Sequence, residues 1–326
     1  MPAASVVRES FESAKDAKRV LENHCQEIHD FILPEGEDFT ISRTAGSKRR
    51  PQVLDNTGEQ SSETMATGLH GIITGPASNW GTLRTKDPEL NDRQENAAFL
   101  QAMTRVTWAH FASAQNRFHA AAAENYTDLV NYGNDAMFIA EVPRLGPLFM
   151  ARPFREIYWH ENERGVVDTV FRHFRPTARQ AVAEFPKNAG AKVMRAATDP
   201  KRANERFDFV HMTAPRDERS MGGFGPKNMP FASVYLNMDD NVIVGEGGFP
   251  EFPWACGRWQ RNAGDPYARS AGMKALPDVK MLQRMMKSTI RAAEQTIKPA
   301  LMAPDDGVFG TVTMVDGHIN TVRADL

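Results

Sequence analysis

Residues 118–153 read FHAAAAENYTDLVNYGNDAMFIAEVPRLGPLFMARP, and a change of period inside them decides the fold class. Phe118 to Tyr132 reads as a helix, with Gly133 well suited to cap its C-terminus. Beyond the glycine the period shortens: AMFIAEVP and PLFMARP read as a β-hairpin, and VVDTVFRHF as a further strand. Helices lie on the N-terminal side of this junction and strands dominate the C-terminal side. The expected class is therefore α+β.

Towards the N-terminus, Phe11, Ala14, Ala17, Leu21, His24, Ile28 and Phe31 recur at threes and fours, predicting a helix over 6–32 that Pro34 ends. His24 and Cys25 lie near that stripe and read as packed rather than reactive. A polar loop containing Arg43, Lys48, Arg49 and Arg50 follows, then a helix over about 59–74 rich in Thr, Gly and Ala. A longer helical stretch runs from Asp92 to about Ala114 and breaks near Asn116.

Towards the C-terminus, TARQAVAEF opens a helix with Thr177 as N-cap. It reaches about Ala197 if PKNAGAKVM is a kink rather than a stop. FDFVHMT, FASVYLN, NVIVGEGGF and WACGRWQ read as strands, with a tight turn at Asp239-Asp240-Asn241. PDVKMLQRMMKSTIRAAEQTIKP, residues 277–299, then predicts an amphipathic helix with Pro277 at its first position and Pro299 as its stop. At about 100° per residue, Lys280, Arg284, Lys287, Arg291 and Lys298 fall on one line roughly 60° wide. Met281, Leu282, Met285, Met286, Ile290, Ala293 and Ile297 lie on the other side. A solvated face is the plain reading of that basic line.

Composition narrows the function classes. The 326 residues are enough for a large core or two domains. The 41 acidic and 39 basic residues nearly cancel, so any contact with nucleic acid must come from local arrangement. Cys25 and Cys256 match no metal spacing and imply no disulfide framework, which fits a reducing compartment. MPAASVVRESFESAKD turns charged before an apolar stretch develops, and no run of about eighteen apolar residues suggests a membrane span. Asn125-Tyr126-Thr127 matches a glycosylation sequon only by coincidence in a chain without secretion. Sixteen methionines, clustered in helices, suit adaptable packing or assembling surfaces.

Local signatures of catalysis are missing. GSKRR lacks the upstream glycine of a phosphate loop, and GEGGFPEF leads into prolines rather than a helix. His160-Glu161 lacks a second histidine for zinc, and no serine occupies a nucleophile elbow. No cofactor and no metal are expected. A metal-dependent nucleic-acid-processing enzyme, with carboxylates assembled in space, remains the alternative class.

Six stretches in order carry a resemblance. They are EIHDFILPEGEDFTISRTAGSKRRPQVLDNT, ATGLHGIITGPASNWGTLRTKDPEL, GVVDTVFRHFRPTARQAVAEF, PFASVYLN, GGFPEFPWACGRW and DPYARSAGMKALPDVKMLQ. Together they resemble the portal, or head-to-tail connecting, proteins of short-tailed, T7-like phages over about residues 20–305. Two details depart from that pattern: Tyr267-Ala268-Arg269-Ser270 stands where the family has Tyr-Gly-Arg-Ser, and Ser270-Ala271 where it has Ser-Pro.

The resemblance implies a non-enzymatic ring, usually of twelve subunits, at one capsid vertex of the virion, assembled in the host cytoplasm. Double-stranded DNA is packaged and ejected through it. The partners implied are the terminase large subunit, tail adaptors, and capsid or scaffolding proteins, with no membrane. The implied fold has a helical and β wing over 1–175, stem segments over 176–203 and 266–298, and a β-rich clip over 204–265. Residues 299–326 would begin a second wing segment, with the remainder of the wing and the crown absent. In such a ring Lys280, Arg284, Lys287, Arg291 and Lys298 would face DNA or pair with a neighbouring subunit. Lys48, Arg49 and Arg50 form a second candidate basic patch, and Arg216, Asp217, Glu218 and Arg219 a candidate partner-binding turn.

Overall fold

The computed structural model describes residues 3–34, 36, 38–41, 53–216, 225–304, 313, 315 and 318–322. Helix α1 (Ala4–Phe31) buries Phe11, Ala14, Leu21 and Ile28 of the predicted stripe, but Ala17 is exposed and His24 and Phe31 are half-buried, while Val7, Lys18 and Cys25 are buried instead. After α2 (Thr57–Ile73) the long helical stretch divides at Arg93, whose backbone is extended, into α3 (Pro88–Asp92) and α4 (Gln94–Ala112). A short 3-10 turn over Ala114–Asn116 leads to α5 (Phe118–Tyr132). Gly133 closes α5 at φ 75°. Its site excludes other side chains, because a Cβ there would sit 2.7 Å from the Arg269 carbonyl carbon.

The strands form three sheets. The expected hairpin is present as β1 (Asn134–Val142) and β2 (Gly146–Arg152), antiparallel in register Phe138↔Met150. An antiparallel meander follows in simple chain order: β3 (Ile157–Glu161), β4 (Val167–Phe174), β5 (Phe209–Pro215), β6 (Phe231–Asn237) and β7 (Val242–Phe249). Asn241 at φ 51° makes the turn between β6 and β7, and Asn237 Oδ1 accepts from the Asp239 and Asp240 amides. Strand β8 (Trp254–Arg258) leaves the meander and pairs with β1. At the C-terminus β9 (Leu301–Pro304) and β10 (Ile319–Val322) run parallel.

Between β4 and β5 the chain forms two helices, α6 (Ala178–Glu184) and α7 (Ala191–Thr198), so PKNAG is a stop rather than a kink. Gly190, at φ 101°, sets the second helix on a new axis. Thr177 caps α6 in a capping box with Gln180, as its position behind Pro176 predicts. Strand β3, IYWHE, had no sequence signal of its own.

Helix α1 holds the two main sheets together. Val7, Phe11 and Ala14 pack on Phe171, Val210, Val234 and Leu236 of the meander. Further along, Cys25 and Ile28 join Trp159, Trp254 and Tyr267. Each fully buried large apolar side chain here is worth roughly 1.5–3 kcal/mol.

The last long helix, α8 (Ala271–Ile297), corrects the boundary expected at Pro277. Ser270 is the N-cap: its Oγ accepts the Met273 amide at 2.8 Å and donates to the Asn131 carbonyl at 2.7 Å. Pro277 lies inside the helix, on its exposed side, where it forfeits one backbone hydrogen bond.

Candidate nucleic-acid interface

Helix α8 carries the basic line, and its surroundings change along its length. Gly272, Met273, Leu276, Val279 and Gln283 are buried, and every residue from 287 to 299 is exposed. The buried half is clamped from two sides. Gln283 Oε1 accepts the Leu54 and Asp55 amides at 2.7 and 3.1 Å, and Val279 lies against Gly58 of α2. Among the described residues the outer half has no element beneath it.

That placement corrects the expected packing face. Met281 and Met285 are each 57% exposed and Ile297 75%, so the apolar side read from the sequence does not face this subunit's body. At about 100° per residue, the buried sector of the first turns overlaps the basic line further along. The body ends where the line begins. Lys280 marks the border, partly buried, its Nζ donating to Glu27 on α1 at 2.7 Å and lying 5.3 Å from the centre of the Phe31 ring. Arg284, Lys287, Arg291 and Lys298 are exposed and have no ion pair among the described residues.

The other candidates are placed differently. Arg216 does not project: its guanidinium donates to Glu246 at 3.2 Å and to the Gly247 carbonyl at 3.0 Å, tying the end of β5 to β7. Burial alone would raise the Glu246 carboxyl, but the hydrogen bonds from Arg216 and Lys227 hold it below its ordinary value. Asp217, Glu218 and Arg219 lie outside the described residues, as do Lys48, Arg49 and Arg50.

Two features escaped sequence reading. One is an exposed apolar stripe on α4: Phe99, Met103 and Val106, spaced by four and three, are each at least 40% exposed. The spacing was visible, but which face a helix buries depends on its neighbours. The other is a group of metal-ligand side chains, His29, Asp30 and Asp38, whose ligand atoms all lie within 4.8 Å of one another.

The buried ionisable groups are structural. Burial pushes the Cys25 and Cys256 thiols up to about 12, which leaves both unreactive at neutral pH. Burial also lowers His211 to about 3; its ring stacks on Tyr235 at 4.1 Å and its Nε2 meets Ser233 Oγ at 2.9 Å. Among the described residues no helix is long and apolar enough to cross a membrane.

An α+β subunit that offers a basic line and bare apolar flanks on one projecting helix has the make-up of an assembly component. Comparison with known proteins gives the family: the chain belongs to the bacteriophage head-to-tail connecting proteins, whose sequence model matches residues 4–325. The portal protein of Salmonella phage epsilon15 is 29% identical over 309 residues, covering 94% of this chain and 55% of that protein. The probable portal protein of Bordetella phage BPP-1 is 29% identical over 315 residues, covering 93% and 55%. The chain thus spans about half the length of these relatives.

Proposed function

We propose that this chain acts as a portal subunit: copies close into a ring at a capsid vertex, through which double-stranded DNA is packaged and later ejected. One observation carries the reading. The family match covers almost the whole chain, and the relatives aligned over that length are named portal proteins. A twelve-membered ring is the form proposed, with terminase large subunit, tail adaptors, and capsid or scaffolding proteins as docking partners. The role is one of shape and charge rather than bond-making; the relatives' names lend no support to a nuclease.

In this reading the outer half of α8 faces the bore or a neighbour. A cyclic ring joins one face of each subunit to a different face of the next. Exposed Met281 and Met285 on one side of the basic line, and Ile290 and Ile297 on its other side, suit such contacts. Arg284, Lys287, Arg291 and Lys298 would repeat around the opening. Duplex DNA carries one charge per about 1.7 Å, and contact through phosphates alone is independent of sequence, as a genome conduit requires. The proposed parts are a wing (1–175), stem segments (176–203 and 266–298) and a clip (204–265). One five-stranded sheet runs from β3 and β4 of the proposed wing to β5–β7 of the proposed clip.

Mass photometry of the purified chain tests the assembly. A discrete ring species that binds duplex DNA, with affinity falling steeply between 50 and 200 mM salt, is expected from about six or more phosphate contacts per ring. Magnesium-dependent DNA cleavage would overturn the reading.

A further inference from the structure

The last turn of α1 and the segment after it make a compact polar knot that ring formation does not require. Gln26, His29 and Asp30 share one face of α1, at spacings of three and four. The chain then reverses and brings Asp38 back over the same face. Gln26, 6% exposed, is the organiser. Its Oε1 accepts the amides of Phe39 and Thr40 at 2.8 and 3.0 Å, pinning the returning segment. Its Nε2 donates to Asp30 Oδ1 at 3.1 Å and to Asp38 Oδ1 at 3.0 Å, drawing two carboxylates to one point. His29 is wholly buried, with Nε2 3.3 Å from Asp38 Oδ1. Gly36 passes over the opposite ring nitrogen so closely that a Cβ there would lie 3.3 Å from Nδ1. The imidazole is thereby turned with Nε2 towards the carboxylates.

We propose that His29 Nε2 and the carboxylates of Asp30 and Asp38 form a binding site for a divalent transition-metal cation of the Zn2+ class, which staples the segment after α1 to that helix. Three observations lead there. The donor set mixes one imidazole with two carboxylates, a combination that Zn2+ accepts, whereas Mg2+ prefers oxygen ligands and retained water. Tetrahedral Zn2+ sets its nitrogen and oxygen ligands about 3.3–3.5 Å apart, which the His29–Asp38 separation already matches. The wider separations in the group, up to 4.8 Å, close by side-chain rotation of Asp30 at the helix end. Gln26 Nε2 already brings an oxygen of each aspartate to one point, from which both can reach a single ion. His29 is wholly buried and the two aspartates are half-buried, so a bound ion would sit where the returning segment meets the helix. Gln26 is then a positioning residue: it touches both aspartates and orients them.

This inference is independent of the portal reading. The test uses the tag-free full chain, stripped with chelator and returned to metal-free buffer. Isothermal titration with ZnCl2 should give about one ion per chain, and the melting temperature should rise with Zn2+ concentration, as a ligand of the folded state requires. Asp38→Asn keeps the oxygen that accepts from Gln26 but removes a charged ligand, and affinity should fall at least tenfold. Asp30→Asn should do the same, so the test survives if one variant fails to fold. MgCl2 should leave the melting temperature unchanged. Zn2+ binding equal in wild type and the two variants would mean an adventitious surface ion and overturn the proposal. So would the absence of binding, or a Mg2+ response as large as that of Zn2+.

Discussion

Lys18 is the residue whose environment departs furthest from its type. It sits mid-stripe on α1, fully buried, where the apolar pattern would accept a leucine. Its Nζ donates to the carbonyls of Ile157, at 2.8 Å, and Phe154, and lies 3.9 and 4.6 Å from the ring centres of Phe154 and Tyr158. Burial lowers its pKa to about 8, with Glu22, Cys25 and Asp128 pulling the other way. The ammonium thus ties α1 to two backbone carbonyls at the entry to β3. Lys18→Ala removes the donor and leaves a cavity, and should cost about 3–5 kcal/mol in urea unfolding. Lys18→Met fills the space without the charge and should cost clearly less. Asp135 makes a second case, with pH as the lever. Burial raises its carboxyl to about 7 against hydrogen bonds from the Gly257 amide and Asn125, and a Cβ on Gly257 would collide with it. A raised acid pKa gives stability that is complete below the unfolded value near 4 and lost as pH rises through 7. Asp135→Asn has no such loss. Relative to wild type it should gain as pH goes from 5 to 8, by up to about 3 kcal/mol, because each tenfold change in proton activity between the two pKa values is worth about 1.4 kcal/mol. A difference that stays flat across paired urea titrations at the two pH values would exclude this role for the carboxyl.

At the scale of elements, legibility followed the range of the interactions that decide each one. The α5–Gly133–β1 junction and the Thr177 cap were readable because their causes lie within a few residues: a positive-φ position, a side-chain cap, a switch of period. The start of α8 was misplaced although its cause is equally local. Ser270 is a good N-cap, but Pro277 offered a competing start signal, and a proline can sit inside a helix when its face is exposed. Strand β3 was missed because its five residues lean on α1, whose Lys18 reaches the Ile157 carbonyl from 139 residues away, as well as on its neighbour β4. The candidate interface was half legible. The basic line exists on a helix as read, and Arg284, Lys287, Arg291 and Lys298 are exposed, but the burial of Lys280 beside Glu27 depends on where α1 crosses, 253 residues earlier. The His29–Asp30–Asp38 group was illegible for the same reason: adjacent His-Asp pairs are common, and only the return of Asp38 completes the set.

At the scale of the whole molecule, the proposed ring poses one physical question: which side of α8 would meet DNA and which a neighbour. Beyond Gln283 the helix carries the basic line between exposed apolar residues and, among the described residues, has no body beneath it, which leaves these surfaces available to assembly or to the conduit in the proposed ring. An apolar flank left in water around a ring would be an aggregation hazard, whereas hydrated lysines and arginines are stable there. For the proposed ring, energetics favours Met285 and Ile290 at the subunit contacts and Arg284 and Arg291 at the bore. Met285→Lys with Ile290→Lys should abolish the ring in mass photometry while leaving the subunit's melting temperature near wild type, because both side chains are exposed on their own chain. Arg284→Glu with Arg291→Glu should leave the ring intact and weaken duplex DNA binding. The slope of log affinity against log salt should fall by about 0.9 for each phosphate no longer neutralised. The reversed outcome, a ring broken by the charge reversal and untouched by the two lysines, would move the basic line to the subunit contact. The acidic partner it pairs with would then have to lie on the neighbouring copy.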